Sequence, residues 1–115
     1  MFSSTSYAEW TRVSESVSGA TFYVDFERIR KVDRYVYFWD LHDYVAPVEN
    51  GVLSSTAYQE VDCKLLRYKI LSDQYFKQPM GRGKVYLSSN TPDQEWHYAR
   101  PNSAKEVILE KICSR

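Results

Sequence analysis

The sequence predicts an α+β domain: about six strands followed by one terminal helix. Three observations carry that prediction. Alternation of apolar and polar residues with period two returns repeatedly between Trp10 and Ala99. A helix start signal and apolar residues at helical spacing occur at the C-terminal end. Aromatic residues, which favour pleated sheets and binding surfaces, are abundant, with 10 Tyr, 3 Trp and 5 Phe in 115 residues.

Residues 1–8 are small and polar and are expected to be disordered, leaving residues 9–115 as one domain. Trp10 to Ser16 alternates and reads as a first strand, closed by the turn signal Ser18-Gly19. Thr21 to Phe26 is a second, with Phe22, Val24 and Phe26 on one face and Tyr23 and Asp25 on the other. The charged stretch Glu27 to Asp33 breaks the pattern and reads as a connection. Arg34 to Leu41 places Tyr35, Tyr37 and Trp39 on one face and Val36 and Phe38 on the other. Apolar residues on both faces mark a central strand covered on both sides. A loop follows at Ala46–Gly51, punctuated by Pro47 and Asn50-Gly51.

Ser54 to Leu71 alternates throughout and reads as one long strand or two joined by a bulge. Pro79–Gly83 is a turn. Lys84–Ser88 and Glu95–Ala99 are further strands, on either side of a loop at Asn90–Asp93. After Pro101, Ser103-Ala104-Lys105-Glu106 has the form of a capping box. Val107, Ile108 and Ile112 then recur at helical spacing, with Leu109 and Cys113 beside them. A helix of about 10 residues is too short to stand alone in water, so it must dock on the strands.

Fifteen basic residues against 15 acidic ones argue against a dedicated nucleic-acid binder. No apolar run approaches the roughly 18 residues of a membrane span. The first residues show no basic and apolar leader pattern. Two readings stay open: a cytoplasmic protein, or one that begins after a removed signal. Cys63 and Cys113, 50 positions apart, do not have zinc-site spacing. The count alone leaves a disulfide and two unrelated buried thiols equally open.

Taken together, Trp10, Phe22-Tyr23-Val24-Asp25, the run from Val36 to Tyr44, Asp62-Cys63, Met80–Gly83, Trp96-His97-Tyr98 and Pro101-Asn102-Ser103 with Cys113 resemble the bacterial surface-adhesin protein E family. The order and spacing match over residues 9–113. The resemblance implies a single antiparallel sheet with the C-terminal helix on one face, tethered by a Cys63–Cys113 disulfide. It implies an exported protein of a Gram-negative bacterium, located in the periplasm, outer membrane or cell surface, with a leader or lipid anchor outside this sequence. It also implies homodimerisation and binding of host laminin, vitronectin and plasminogen.

Candidate sites are few. Arg28, Arg30, Lys31 and Arg34 cluster in one segment and could attract a sulfated glycan, phosphate or acidic protein, or form an ordinary solvated connection. Tyr35, Tyr37 and Trp39 form a row that either lines a partner-binding face or packs in the core. Asp40, His42 and Asp43 place a histidine near two carboxylates, but Asp43 should face away and His97 should lie on a distant strand. A metal site needs three or four convergent ligands, so local hydrogen bonding explains His42 better. Gly81-Arg82-Gly83-Lys84 lacks phosphate-loop spacing and reads as a tight turn. No nucleophile elbow or comparable catalytic motif appears. The expectation is therefore a binding domain without catalytic residues, metal or cofactor. The first functional reading is an adhesin-like envelope protein with a protein partner. The alternative is a periplasmic or outer-membrane accessory with a bacterial partner and no host binding, and a small enzyme or ligand carrier ranks third.

Overall fold

A computed structural model describes residues 8–115. The expectation for residues 1–7 lies outside the described residues. The strands are β1 (Trp10–Glu15), β2 (Thr21–Asp25), β3 (Arg30–Val32), β4 (Tyr35–Asp43), β5 (Ser54–Asp62), β6 (Arg67–Phe76), β7 (Val85–Ser89) and β8 (His97–Tyr98). One helix, α1 (Ala104–Cys113), closes the order. The strands form a single sheet whose main path runs β1-β2-β4-β5-β6-β7, and the strand pairings among the described residues are antiparallel.

Six strands lie on that path, matching the expected number, but the sheet has eight, and the expected strands are not those six: the strand expected at 95–99 becomes β8, off the path, and the stretch 54–71 holds β5 and the start of β6. Two positions are shared. β2 pairs with the C-terminal end of β4 while β3 pairs with its N-terminal end, at Tyr35–Tyr37. In the same way β7 and β8 pair with opposite ends of β6. The stretch 27–33 is therefore not only a connection. Asp25 accepts from the Glu27 amide at 3.0 Å and stops β2 in a short turn, after which Arg30–Val32 becomes a strand.

The stretch 54–71 also departs from expectation. It is neither one strand nor two joined by a bulge, but two antiparallel strands joined by a tight turn at residues 63–66. Leu66 takes the left-handed conformation there, φ 53°. That turn carries no glycine, proline or asparagine to announce it. A bulge does exist, further along, where β5 and β6 shift register between Tyr58 and Gln59.

The core lies between the sheet and α1. Val24, Val36, Phe38 and Val61 are buried from the sheet side, and Ile108, Leu109 and Ile112 from the helix. Ser103 caps the helix, its Oγ accepting from the Glu106 amide at 3.1 Å. Glu106 reaches back to the Asn102 amide at 2.8 Å, one residue ahead of the cap. A Cys63–Cys113 disulfide ties the end of the helix to the turn after β5, with the Cα atoms 5.6 Å apart.

Candidate functional site

Alternation along β4 sends Val36 and Phe38 under the helix and turns Tyr35, Tyr37 and Trp39 to the opposite, helix-free face. Antiparallel register then places neighbours on that face. Tyr58 of β5 lies opposite Trp39, Glu60 opposite Tyr37 and Asp62 opposite Tyr35. Ring centroids are 5.0 Å apart for Trp39 and Tyr58, 6.2 Å for Tyr37 and Tyr58, and 6.0 Å for Tyr35 and Trp96. Trp96 reaches this row because the adjacent strand β8 pairs with β6.

Cations sit beside the rings. Arg28 lies 5.5 Å from the Trp39 centroid, Arg30 5.1 Å from Tyr37 and Arg34 5.5 Å from Tyr35. Arg67 and Lys69 approach Trp96 at 4.6 and 4.8 Å. Each such contact contributes on the order of 0.5–1 kcal/mol at an exposed site. Carboxylates beneath them hold Arg28, Arg34 and Arg67 in place. Buried Asp25 pairs with Arg28 at 2.6 Å. Buried Asp62 pairs with Arg34 at 2.6 Å and with Arg67 at 2.9 Å. The Arg34 hydrogen bond, supported by Arg67, holds the Asp62 carboxyl down at about 2 against the cost of burial. Tyr37 donates its hydroxyl to Glu60 at 2.7 Å, and that bond together with burial pushes its phenol up to about 12. The Asp62 carboxylate thus stays charged and the Tyr37 phenol stays neutral over the whole physiological range.

The site residues anticipated from sequence separate into two groups. Arg28, Arg30, Arg34, Tyr35, Tyr37 and Trp39 lie on one face. Lys31 does not join them: it pairs with Val36, on the helix side, and its Nζ donates to the Arg115 carbonyl oxygen. Sequence reasoning missed Tyr58, Trp96, Arg67 and Lys69, which belong to the same face. Trp10, not among the expected site residues, lines a shallow concavity of about 210 Å³ with Arg28, Trp39, Thr56 and Gln74. Beyond that concavity the segment 78–83 folds over the sheet. A Cβ on Gly81 would meet Leu41 at 2.9 Å, so glycine permits the approach.

The aspartate–histidine group is a structural network. His42 Nε2 lies 3.2 Å from Asp40 Oδ2, which also accepts from Gln59 at 2.6 Å. Lys105 of the helix donates to Gln59 at 2.5 Å, and burial lowers the pKa of its amine. Asp43 faces away and accepts from the Met80 amide at 2.7 Å. His97 pairs instead with Asp93 at 3.1 Å. Among the described residues no three of His, Cys, Asp and Glu are grouped to hold a metal ion.

The family model for surface-adhesin protein E matches residues 10–114. The chain belongs to this family. Its fold is that of solved structures of Haemophilus influenzae protein E. A selenomethionine form is 18% identical with a TM-score of 0.64, over 96% of this chain and 90% of that one. Another structure of that protein is 16% identical with a TM-score of 0.61, over 96% and 87%. A second crystal form is 18% identical with a TM-score of 0.61, over 90% and 87%. No curated protein sequence matches the chain. Family membership makes this an adhesin-like surface protein. Among the described residues no helix is long and apolar enough to cross a membrane.

Proposed function

We propose that this chain is an exported, non-enzymatic adhesin of a Gram-negative cell envelope that binds host matrix proteins through the helix-free face of its sheet. The observation that carries the reading is the aromatic row Tyr35, Tyr37, Trp39 and Tyr58 with arginines stacked beside it. Aromatic and arginine side chains are the residues that dominate binding energy at protein interfaces. Here their partners are already in place, so little side-chain entropy is lost on docking. The arginines favour a partner surface rich in carboxylates, with which guanidinium groups form paired hydrogen bonds. Laminin, vitronectin and plasminogen are the proposed partners. Homodimerisation belongs to the same proposal.

The test is binding of the oxidised protein to each immobilised matrix protein, titrated with salt. Saturable binding that weakens as salt rises supports the reading, because exposed charge pairs are screened. Absence of binding up to about 100 μM, a free energy of only about −5 kcal/mol, contradicts it. That result would transfer the face to a bacterial envelope partner.

A further inference from the structure

We propose that the free edge of β7 captures an extended segment of a partner protein whose residues alternate between apolar and acidic, and so adds a strand to the sheet. The inference is independent of the aromatic face. β7 is last in the strand order and, among the described residues, pairs with β6 alone. All five of its residues are exposed, and Val85, Tyr86 and Leu87 keep 43%, 43% and 59% of their surface. Edges of this kind are normally guarded by charge, proline or a covering loop. Val85–Ser89 has neither a charged residue nor a proline.

The two faces along this edge differ. The register between β6 and β7 shifts at Tyr75/Phe76, so Leu87 pairs with Tyr75 and Val85 with Phe76, on opposite faces. On the Leu87 side lies a concavity of about 290 Å³ whose walls include Tyr44, Val48, Val52 and Tyr75, with Glu49 and Asn50 at one part of it. On the Val85 side a second, of about 370 Å³, is lined by Lys77 and Lys84 together with Gln78, Val85 and Tyr86. Lys77 Nζ sits 4.2 Å over the Tyr86 ring. Neither lysine has a carboxylate within ion-pair distance among the described residues.

An added strand sends successive side chains to opposite faces. Its main chain would satisfy the open edge, and its alternate residues would meet a mainly apolar wall on one side and a wall bearing two lysines on the other. Apolar residues fit the first and carboxylates the second. A second copy of β7 fits poorly, because its sequence carries no carboxylate to answer the lysines.

The experiment titrates an end-capped peptide of alternating valine and glutamate into the isotopically labelled protein and follows backbone amide resonances. The proposal expects saturable shifts confined to β7 and its flanks. It expects roughly tenfold weaker binding to Lys77→Glu/Lys84→Glu. A peptide of the same composition with alternate backbone amides N-methylated should not bind, since it cannot complete the ladder. Circular dichroism verifies that the variant is folded, and the methylated peptide tests the idea without any variant. No binding up to about 1 mM, equal binding of the methylated peptide, or unchanged affinity of the charge-reversed variant would overturn it. So would a dimer that Leu87→Lys dissociates, because a second copy would then hold the edge.

Discussion

Asp62 has no exposed side-chain surface, yet it stays ionised because Arg34 and Arg67 both reach its carboxylate. Two consequences follow at the level of this residue. Asp62→Asn leaves two guanidinium groups without their shared counter-charge and should cost about 1–3 kcal/mol at neutral pH. The carboxyl is held at about 2 when folded against an ordinary value of 3.8. Its contribution is therefore fully present above about pH 4 and disappears as pH falls through about 2. Denaturation followed from pH 5 to pH 2 should show a smaller loss of stability in Asp62→Asn than in the parent. An equal loss in both would mean that the pair contributes nothing to acid sensitivity.

At the scale of elements, α1 is held by its apolar side and by one covalent tie. Ile108 is 1% exposed, so Ile108→Ala should cost about 2–4 kcal/mol in denaturant unfolding. A cost below about 0.5 kcal/mol would place that side chain outside the core. The Cys63–Cys113 bridge closes a long loop, and reducing it should lower stability by roughly 4 kcal/mol if chain entropy dominates. The helix was legible because Ser103, Glu106 and the stripe of isoleucines and leucine are all local signals. The membership of Tyr35, Tyr37 and Trp39 in one face was legible for the same reason, since alternation acts within a single strand. The rest of the site was not. Tyr58 arrives by the register of β5 against β4, and Arg67 and Lys69 arrive across a turn that depends on Leu66 in a left-handed conformation, a position that sequence normally assigns to glycine or asparagine. Trp96 arrives with a strand of two residues. Reading 27–33 as a connection merged Lys31 with its neighbours, whereas β3 sends Arg30 and Lys31 to opposite faces.

For the molecule as a whole, 15 basic and 15 acidic residues balance, so net charge does not steer any partner. The asymmetry is local. One face of the sheet is closed by the helix and the core, and the other presents rings bordered by arginines. Binding through that second face separates Arg30 from Lys31, which are adjacent in the chain and opposed in space. The measurement is the Kd of Arg30→Glu and of Lys31→Glu for a matrix protein that the parent binds. Binding through the aromatic face gives roughly tenfold or greater weakening for Arg30→Glu and no change for Lys31→Glu. Equal effects, or weakening by Lys31→Glu alone, would contradict it.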